Sequence, residues 1–485
     1  MRKTDIEPDL TGSQPPARLK LNRAPRTESI VTRTYRISIT ESIFSQIYGT
    51  LATIGSSFIT KLLVILGASP LHYSLLSALG QASAVFQPLG VAITHRLKRR
   101  KPACIWITAL GRILTFFLGL SLLFSIKSSG IWFVLALLFA SAGLQAIGGN
   151  IWIAWVSELI PLSLRGRFFS KRNQYMLFYG LIVSYLVSFH VDLFEKSGSG
   201  LRSAYVKLLG LQDYFTPANQ AIFLSGVFIA ATLISLFGLT ILARQPERKL
   251  NRKPTEKLSR LYREPFKDKN FRLLLIFGVW WMFSIGVGSA FWGPFMLKKL
   301  QMGLFEVQLY SSVHMIFSLI GYNFWGRFID RFGNKTAMKI CVFLGGMNPM
   351  LWLFMTAQNH TILWFEAVTS GFMWAGAGIV TTNFALSLAA KGREQVYSGT
   401  YNAIVGVGMM ASTLLTGIFF PPALKLGSLA LEPEQVVFGV GGIMRWLTII
   451  PLMLVVENRS VPLRQAMSGV RQSLMLYFSN WWKKE

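Results

Sequence analysis

Twelve stretches of largely apolar residues alternate with short polar segments along the chain, at 43–66, 71–93, 102–126, 131–157, 173–190, 219–243, 271–297, 304–329, 336–357, 361–389, 396–420 and 435–456. A helix needs about 20 such residues to cross a bilayer. The pattern therefore predicts an all-α membrane protein of twelve transmembrane helices. Its fifth span is crowded at the start by Lys171 and Arg172. The longest polar interruption divides the spans six and six. The expected organisation is a basic tail (1–42), an N-terminal six-helix half (43–243), a central loop (244–270), a C-terminal six-helix half (271–456) and a basic, aromatic tail (457–485). Residues 11–27 read as a flexible basic segment, and no signal peptide is expected at the start. Residues 461–482 mix Arg464 and Arg471 with Leu474, Phe478, Trp481 and Trp482. They suit either a helix at headgroup level or a frayed tail with aromatic anchors.

Composition agrees with this reading. Hydrophobic residues make up 52% of the 485 positions and charged residues 14%, with 37 Phe, 14 Trp and a mean hydropathy of +0.44. Soluble proteins carry about 25% charged residues, so a soluble enzyme is excluded. The net charge of +28 first suggests nucleic acid, but its location decides otherwise. Of the 49 Lys and Arg residues, 39 fall on the side that holds both termini, 7 in the opposite loops and three (Lys61, Arg112, Arg445) inside spans. Lys and Arg collect on the cytoplasmic side of membrane proteins. Both termini are thus expected in the cytoplasm, with the charge facing anionic headgroups and no nucleic-acid partner. The expected location is the plasma membrane, the inner membrane of a bacterium. Two cysteines, Cys104 and Cys341, build neither a disulfide framework nor a zinc site. No cofactor and no metal are expected.

The halves echo each other. Gly67 and Gly90 bracket the second span as Gly303 and Gly326 bracket the eighth, both 23 residues apart at an offset of 236. Paired six-helix halves are a transporter's architecture. The stretch from Gly326 through Asp330, Arg331 and Gly333 to Lys335 matches G-x-x-x-D-R-x-G-x-[RK] and so resembles the loop signature of the major facilitator superfamily, in the place where that family carries it. Glu158, Pro161, Arg165, Gly166 and Arg167 resemble the family's E-x-x-P-x-x-x-R-G-R segment at the end of span 4. The resemblance extends over about residues 40–456. It implies that Asp330, with Arg327, Arg331 and Lys335, latches two helices while the inner mouth is closed, and that the latch opens during transport. The same loop also reads as a topology-setting basic segment with one carboxylate. In the 2–3 loop the Asp and Gly positions hold Thr94 and Leu97, so Glu158 with Arg165 and Arg167 becomes the alternative anchor of that half.

Ionisable residues inside spans are costly and are functional candidates by default. Lys61, Arg112, Glu366 and Arg445 qualify, with His314 a weaker fifth. The family lines its cavity mainly with spans 1, 4, 7 and 10. That favours Lys61 and Glu366, which are expected to pair across the halves; Lys61 snorkelling outward is the competing reading. Arg112 and Arg445 are expected to turn toward polar partners within their own halves. Gln145, Asn150, Asn383, Trp281 and Trp292 add amides and indoles to the candidate wall, a combination that grips semi-polar organic molecules. If protons are coupled, Glu366 is the leading carrier.

These observations point to a monomeric secondary transporter that moves a small organic solute by alternating access, with no enzymatic activity. A proton-coupled multidrug or metabolite exporter, or a non-transporting receptor on the same fold, are the alternatives. Span 5 lacks the G-x-x-x-G-P-x-x-G-G pattern of drug antiporters, no G-x-x-x-x-G-K-[ST] loop is present, and the five His show no H-x-x-x-H spacing.

Overall fold

The structure is a computed structural model that describes residues 25–86, 99–122, 130–195, 200–210, 213–247, 265–387, 394–426, 429–457 and 460–462, with isolated positions between and beyond them. Its helices are α1 (Pro25–Ala52), α2 (Ser57–Ile65), α3 (Pro70–Ala82), α4 (Lys101–Leu122), α5 (Gly130–Leu159), α6 (Leu162–Asp192), α7 (Gly200–Leu209) and α8 (Gln220–Leu242) in the first half. The second half holds α9 (Lys269–Ser289), α10 (Leu304–Phe332), α11 (Asn334–Leu351), α12 (Ile362–Ser387), α13 (Glu394–Ile418), α14 (Pro433–Leu447) and α15 (Ile449–Leu454). Among the described residues eleven helical segments are long and apolar enough to cross a membrane. The second expected span is described only as α3 and the 3-10 turn Ser83–Phe86. Gly90, Thr94, Leu97 and most of the central loop and C-terminal tail lie outside the described residues.

Three differences from the sequence reading matter. The first membrane helix begins well before residue 43: α1 starts at Pro25, and residues 30–65 form one apolar segment. That segment is broken between α1 and α2. Ser56 caps α2 by accepting from the Phe58 amide at 3.1 Å while donating to the Thr50 carbonyl at 2.7 Å, which satisfies backbone groups that a break would otherwise orphan. The seventh span also runs on past its expected end. Beyond α9 it turns through Trp292–Pro294 and continues as a wider π-type turn to Lys299. Finally, the last loop on the side opposite the termini contains a small hairpin, β1 (Leu424–Leu426) paired antiparallel with β2 (Leu429–Leu431), so Leu424 faces Leu431.

Within each half the helices pack as a bundle, α1 on α8 and α4 on α5 in the first, α9 on α13 and α10 on α12 in the second. Between halves the principal contacts are α3 on α13 and α6 on α10. The buried apolar residues show where the halves join. One large core contains Phe58, Leu62 and Tyr73 from the first half together with Phe291, Phe295, Met296 and Leu300 from the second. These residues lie on the side opposite the termini. Toward the termini the cores separate. Phe271, Trp325, Phe332 and Tyr397 belong to a core of the second half alone, and Cys104, Ile151, Trp155 and Leu242 to one of the first half alone.

Polar contacts reinforce the joined side. Tyr185 meets Ser312 at 2.6 Å and Gln308 donates to Ser57 at 2.6 Å. Lys298 reaches from the second half to the Ala68 carbonyl at 3.3 Å and lies 5.1 Å from the Tyr73 ring centre. Asp192, at the end of α6, is fully buried and accepts from the Leu304 and Phe305 amides at 2.7 and 2.8 Å. These are the first amides of α10, groups that a helix cannot satisfy itself. The carboxylate of one half therefore caps a helix of the other, favoured also by the helix dipole. Gly303 permits the approach, since a Cβ there would stand 2.7 Å from an Asp192 oxygen.

Candidate functional site

The second half holds a partly open cavity of about 410 Å³, and every residue that lines it comes from that half. This size falls within the range of small-molecule sites, about 300–1,000 Å³. Glu366 enters from α12, one turn from its start, and is 4% exposed. Its carboxylate accepts from the Tyr310 hydroxyl of α10 at 2.7 Å, with Ser370 and Trp352 beside it. Arg445 enters from α14, equally buried, and donates through Nη1 to the Gly345 carbonyl at 3.1 Å. The two charges influence one another, yet no nitrogen of Arg445 comes within the 4.0 Å of an ion pair with Glu366. The guanidinium Nε has no acceptor. Neither has Nδ2 of Asn348, whose Oδ1 already accepts from Thr369 at 2.8 Å. His314, Trp292 and Trp374 also line the cavity, with the hydroxyls of Ser289, Ser311 and Ser370. Trp292 is held flat against Phe438, ring centres 3.9 Å apart and planes 4° from parallel.

The first half holds a second buried Glu–Arg pair with a different finish. Arg112 of α4 lies 3.6 Å from Glu41 of α1, donates to Ser45 at 2.6 Å and to the Ser235 carbonyl at 2.6 Å. Ser45 donates to Glu41 in turn, and the guanidinium sits 5.7 Å from the Tyr48 ring centre. Tyr48, Thr115 and Ser141 continue the network at 2.7–3.2 Å.

Other sequence candidates are placed elsewhere. Lys61 does not pair with Glu366. It bonds Glu195, just beyond α6 in its own half, so the pair does not cross the halves. The reason is chain geometry: α6 runs to Asp192, beyond its expected end, and delivers Glu195 to α2. Glu158 pairs with Arg100 at 2.8 Å rather than with Arg165, which instead binds the Ile160 carbonyl at 3.1 Å and the Ser157 carbonyl at the end of α5. Gly166 lies in α6. Gln145 and Asn150 lie on α5, away from the cavity. Trp281 is buried behind the wall, 6.4 Å from Trp374, and does not line the cavity.

In the signature loop, Gly333 has φ 87°, a conformation that suits glycine, and separates α10 from α11. The cap of α11 is Glu457, not Asp330: it accepts from the amides of Asn334 and Lys335 at 3.0 and 2.6 Å. Lys335 reaches the Met453 and Val455 carbonyls at 2.9 and 2.8 Å, and Asn383 donates to Asn334 at 3.1 Å. Asn383 thus bolts α12 to this loop and is remote from the cavity. Asp330 is exposed and has no ion-pair partner among the described residues, and Gly326 has open space beside it. Arg331 lies 5.2 Å from the Phe332 ring centre.

Sequence reasoning missed Glu41, Asp192, Tyr310 and Asn348. Glu41 fell two residues outside the first span as drawn. Its spacing of four from Ser45 on an apolar helix was the available signal.

Comparison with known proteins extends these findings. Residues 42–413 match the profile of the Major Facilitator Superfamily. No curated protein matches the sequence. Among solved structures, the nucleoside transporter NupG superposes with a TM-score of 0.61 at 13% identity, covering 88% of this chain and 98% of that one. A D-xylose–proton symporter gives 0.59 at 14%, covering 89% and 99%. The xylose transporter XylE from E. coli, in a partially occluded inward open conformation, gives 0.56 at 12%, covering 88% and 98%.

Proposed function

The chain belongs to the major facilitator superfamily and is a multi-pass membrane transporter, and from that premise we propose that it moves a small organic solute across the plasma membrane by alternating access, coupled to protons bound at Glu366. The observation that carries this reading is the asymmetry of the apolar cores. One core joins the halves on the side opposite the termini, while toward the termini each half keeps its own. Rocking of two such halves exposes a site to each side in turn. The charge asymmetry of the loops makes the joined side the outer one, so this conformation faces the cytoplasm. An exposed Asp330 with no ion-pair partner among the described residues suits that state, since a latch that closes the inner mouth is released when the mouth is open.

Glu366 supports proton coupling by its position. It is a buried carboxylate beside a cavity, held by a hydroxyl and not by an ion pair. Neutralising it removes a charge from a site where charge is costly. Two of the similar structures are of proton symporters, for D-xylose and for fucose.

The test is uptake into proteoliposomes with an imposed pH gradient, across a panel of sugars, nucleosides and organic acids. Accumulation that follows the gradient in the wild type, and only gradient-independent exchange in Glu366→Gln, is the expected result. Gradient-driven accumulation by Glu366→Gln would remove the carboxylate from the coupling. No movement of any solute would favour a receptor.

A further inference from the structure

On the side of the termini, the first half carries a cleft of about 570 Å³ between the start of α4 and the end of α8. Its wall changes character along α4. Arg99, Lys101 and Glu247 form a charged rim, and Ile105, Trp106 and Ala243 an apolar floor. From Lys101 to Trp106 the helix advances about 7.5 Å, a depth that spans the boundary between headgroups and acyl chains. Trp106 is 74% exposed although it stands in a membrane span, so the cleft opens sideways, toward lipid.

The rim charges are committed to different degrees. Glu247 accepts from the Lys101 amide at 2.7 Å and so caps α4. The Lys101 ammonium donates to the Gln245 carbonyl at 3.1 Å, which holds it at the mouth. Arg100, which does not line the cleft, pairs with Glu158. Arg99 is exposed and has no hydrogen-bond or ion-pair partner among the described residues. Two cations and one carboxylate leave the rim with an excess of positive charge. The residues next in sequence are basic as well, Lys98 before Arg99 and Arg248 and Lys249 after Glu247. Basic clusters beside a membrane helix attract anionic headgroups.

We propose that this cleft binds one anionic phospholipid, its phosphate at Arg99 and Lys101 and the upper part of an acyl chain along Ile105 and Trp106. The two parts of the wall select the occupant. A free phosphate would leave the apolar floor uncovered. A fatty chain without a charged head would leave Arg99 unmatched, and a choline head would bring a second cation to the rim. A monoanionic glycerophospholipid answers both parts and joins α4 to the end of α8 where they leave the bilayer. The proposal does not depend on which solute is carried.

The experiment has to separate a site from the general attraction of a basic membrane face. The full chain is placed in nanodiscs of phosphatidylcholine that carry a minor fraction of phosphatidylglycerol with a diazirine on its acyl chain. Labelled residues are mapped by peptide mass spectrometry, and the same probe with a choline head is the comparison. Labelling at residues 105 and 106, taken relative to the exposed Phe343 of α11, should favour the glycerol head by about tenfold. A basic residue near an anionic surface is worth about fivefold in binding, so Arg99→Gln should lower the preference by that factor. Arg272→Gln removes an exposed charge near the start of α9, in the other half, and should leave the preference unchanged. Ala243→Phe keeps every charge but fills the cleft, and should abolish it.

The proposal is overturned if both probes label residues 105 and 106 alike, or if Ala243→Phe, once folded, keeps the preference. It is overturned too if Arg272→Gln lowers the preference as much as Arg99→Gln, because the attraction would then belong to the whole basic face. Loss of the preference on adding inorganic phosphate, but not chloride at equal ionic strength, would make a free anion the ligand and would overturn it as well.

Discussion

In the first half, Glu41 and Arg112 lie 3.6 Å apart, and the Ser45 hydroxyl and the Ser235 carbonyl hold the terminal guanidinium nitrogens, while Nε has no acceptor. In the second half, Glu366 and Arg445 stay out of contact, and a cavity borders both. The two pairs occupy related places. The halves of such transporters contain nested three-helix repeats of opposite direction. Each pair puts its Glu on the first helix of a three-helix unit and its Arg on the third: spans 1 and 3 in one case, 10 and 12 in the other. The first pair is closed on itself and acts as scaffold. The second keeps its charges available. Residue type and burial are shared, so neither identifies the working site. What separates them is whether the two charges are in contact, since the Nε of each arginine lacks an acceptor.

The largest expected effect breaks the closed pair. Arg112→Met leaves Glu41 buried without its cation and should cost about 3–5 kcal/mol, read as a fall in thermal unfolding temperature in detergent. Adding Glu41→Gln should recover much of it. Arg445→Met is the matched change in the other half. It should cost less than about 2 kcal/mol, near the ordinary range for single substitutions, while solute accumulation is lost. If the two variants are equally unstable, the contrast between the pairs is wrong.

Next in size is the joint between the halves. Asp192→Ala orphans two amides of α10, that of Leu304 buried and that of Phe305 part-buried, a loss of about 1–3 kcal/mol for a buried unsatisfied group. Because those amides are covered only while the outer side is closed, the change should shift the protein toward outward opening. A cysteine placed at Ser312 should then react faster with an impermeant maleimide added outside, by about tenfold for each 1.4 kcal/mol. An unchanged rate would mean that the apolar core alone holds the outer side shut.

The smallest effect is expected at the signature loop. Asp330→Asn removes an exposed carboxylate that has no ion-pair partner among the described residues, so unfolding should change by less than about 0.5 kcal/mol. Turnover should still fall, because the latch is needed in the opposite state. Equal turnover at matched expression would make the loop a topology device only.

The span pattern, the six-plus-six division and the family were legible because about 20 apolar residues in a row have few other uses. Helix ends were not, and the site suffered for it. Placing the first span at 43 hid Glu41, and ending the fifth at 190 hid both Asp192 and the partner of Lys61. Helix rotation was equally hidden. Spans 1 and 10 were both expected to line a cavity, but Lys61 turns to Glu195 while Glu366 turns to Tyr310. Arg112 and Arg445, expected among partners in their own halves, lie there. Which of the two lies in contact with its carboxylate depends on neighbours such as Ser45 and Tyr310, whose roles only tertiary contact defines.

The cap that Asp192 places on α10 has a consequence for how this joint can change over evolutionary time. Its partners are main-chain amides, which every residue except proline supplies. Substitutions at 304 and 305 therefore need no compensating change at 192, and a charge swap between the halves cannot rewire the contact. The position that must track Asp192 is 303, where the missing side chain makes room for the carboxylate. Correlated substitution across related sequences should accordingly link 192 with 303 and pass over the two residues that make the hydrogen bonds.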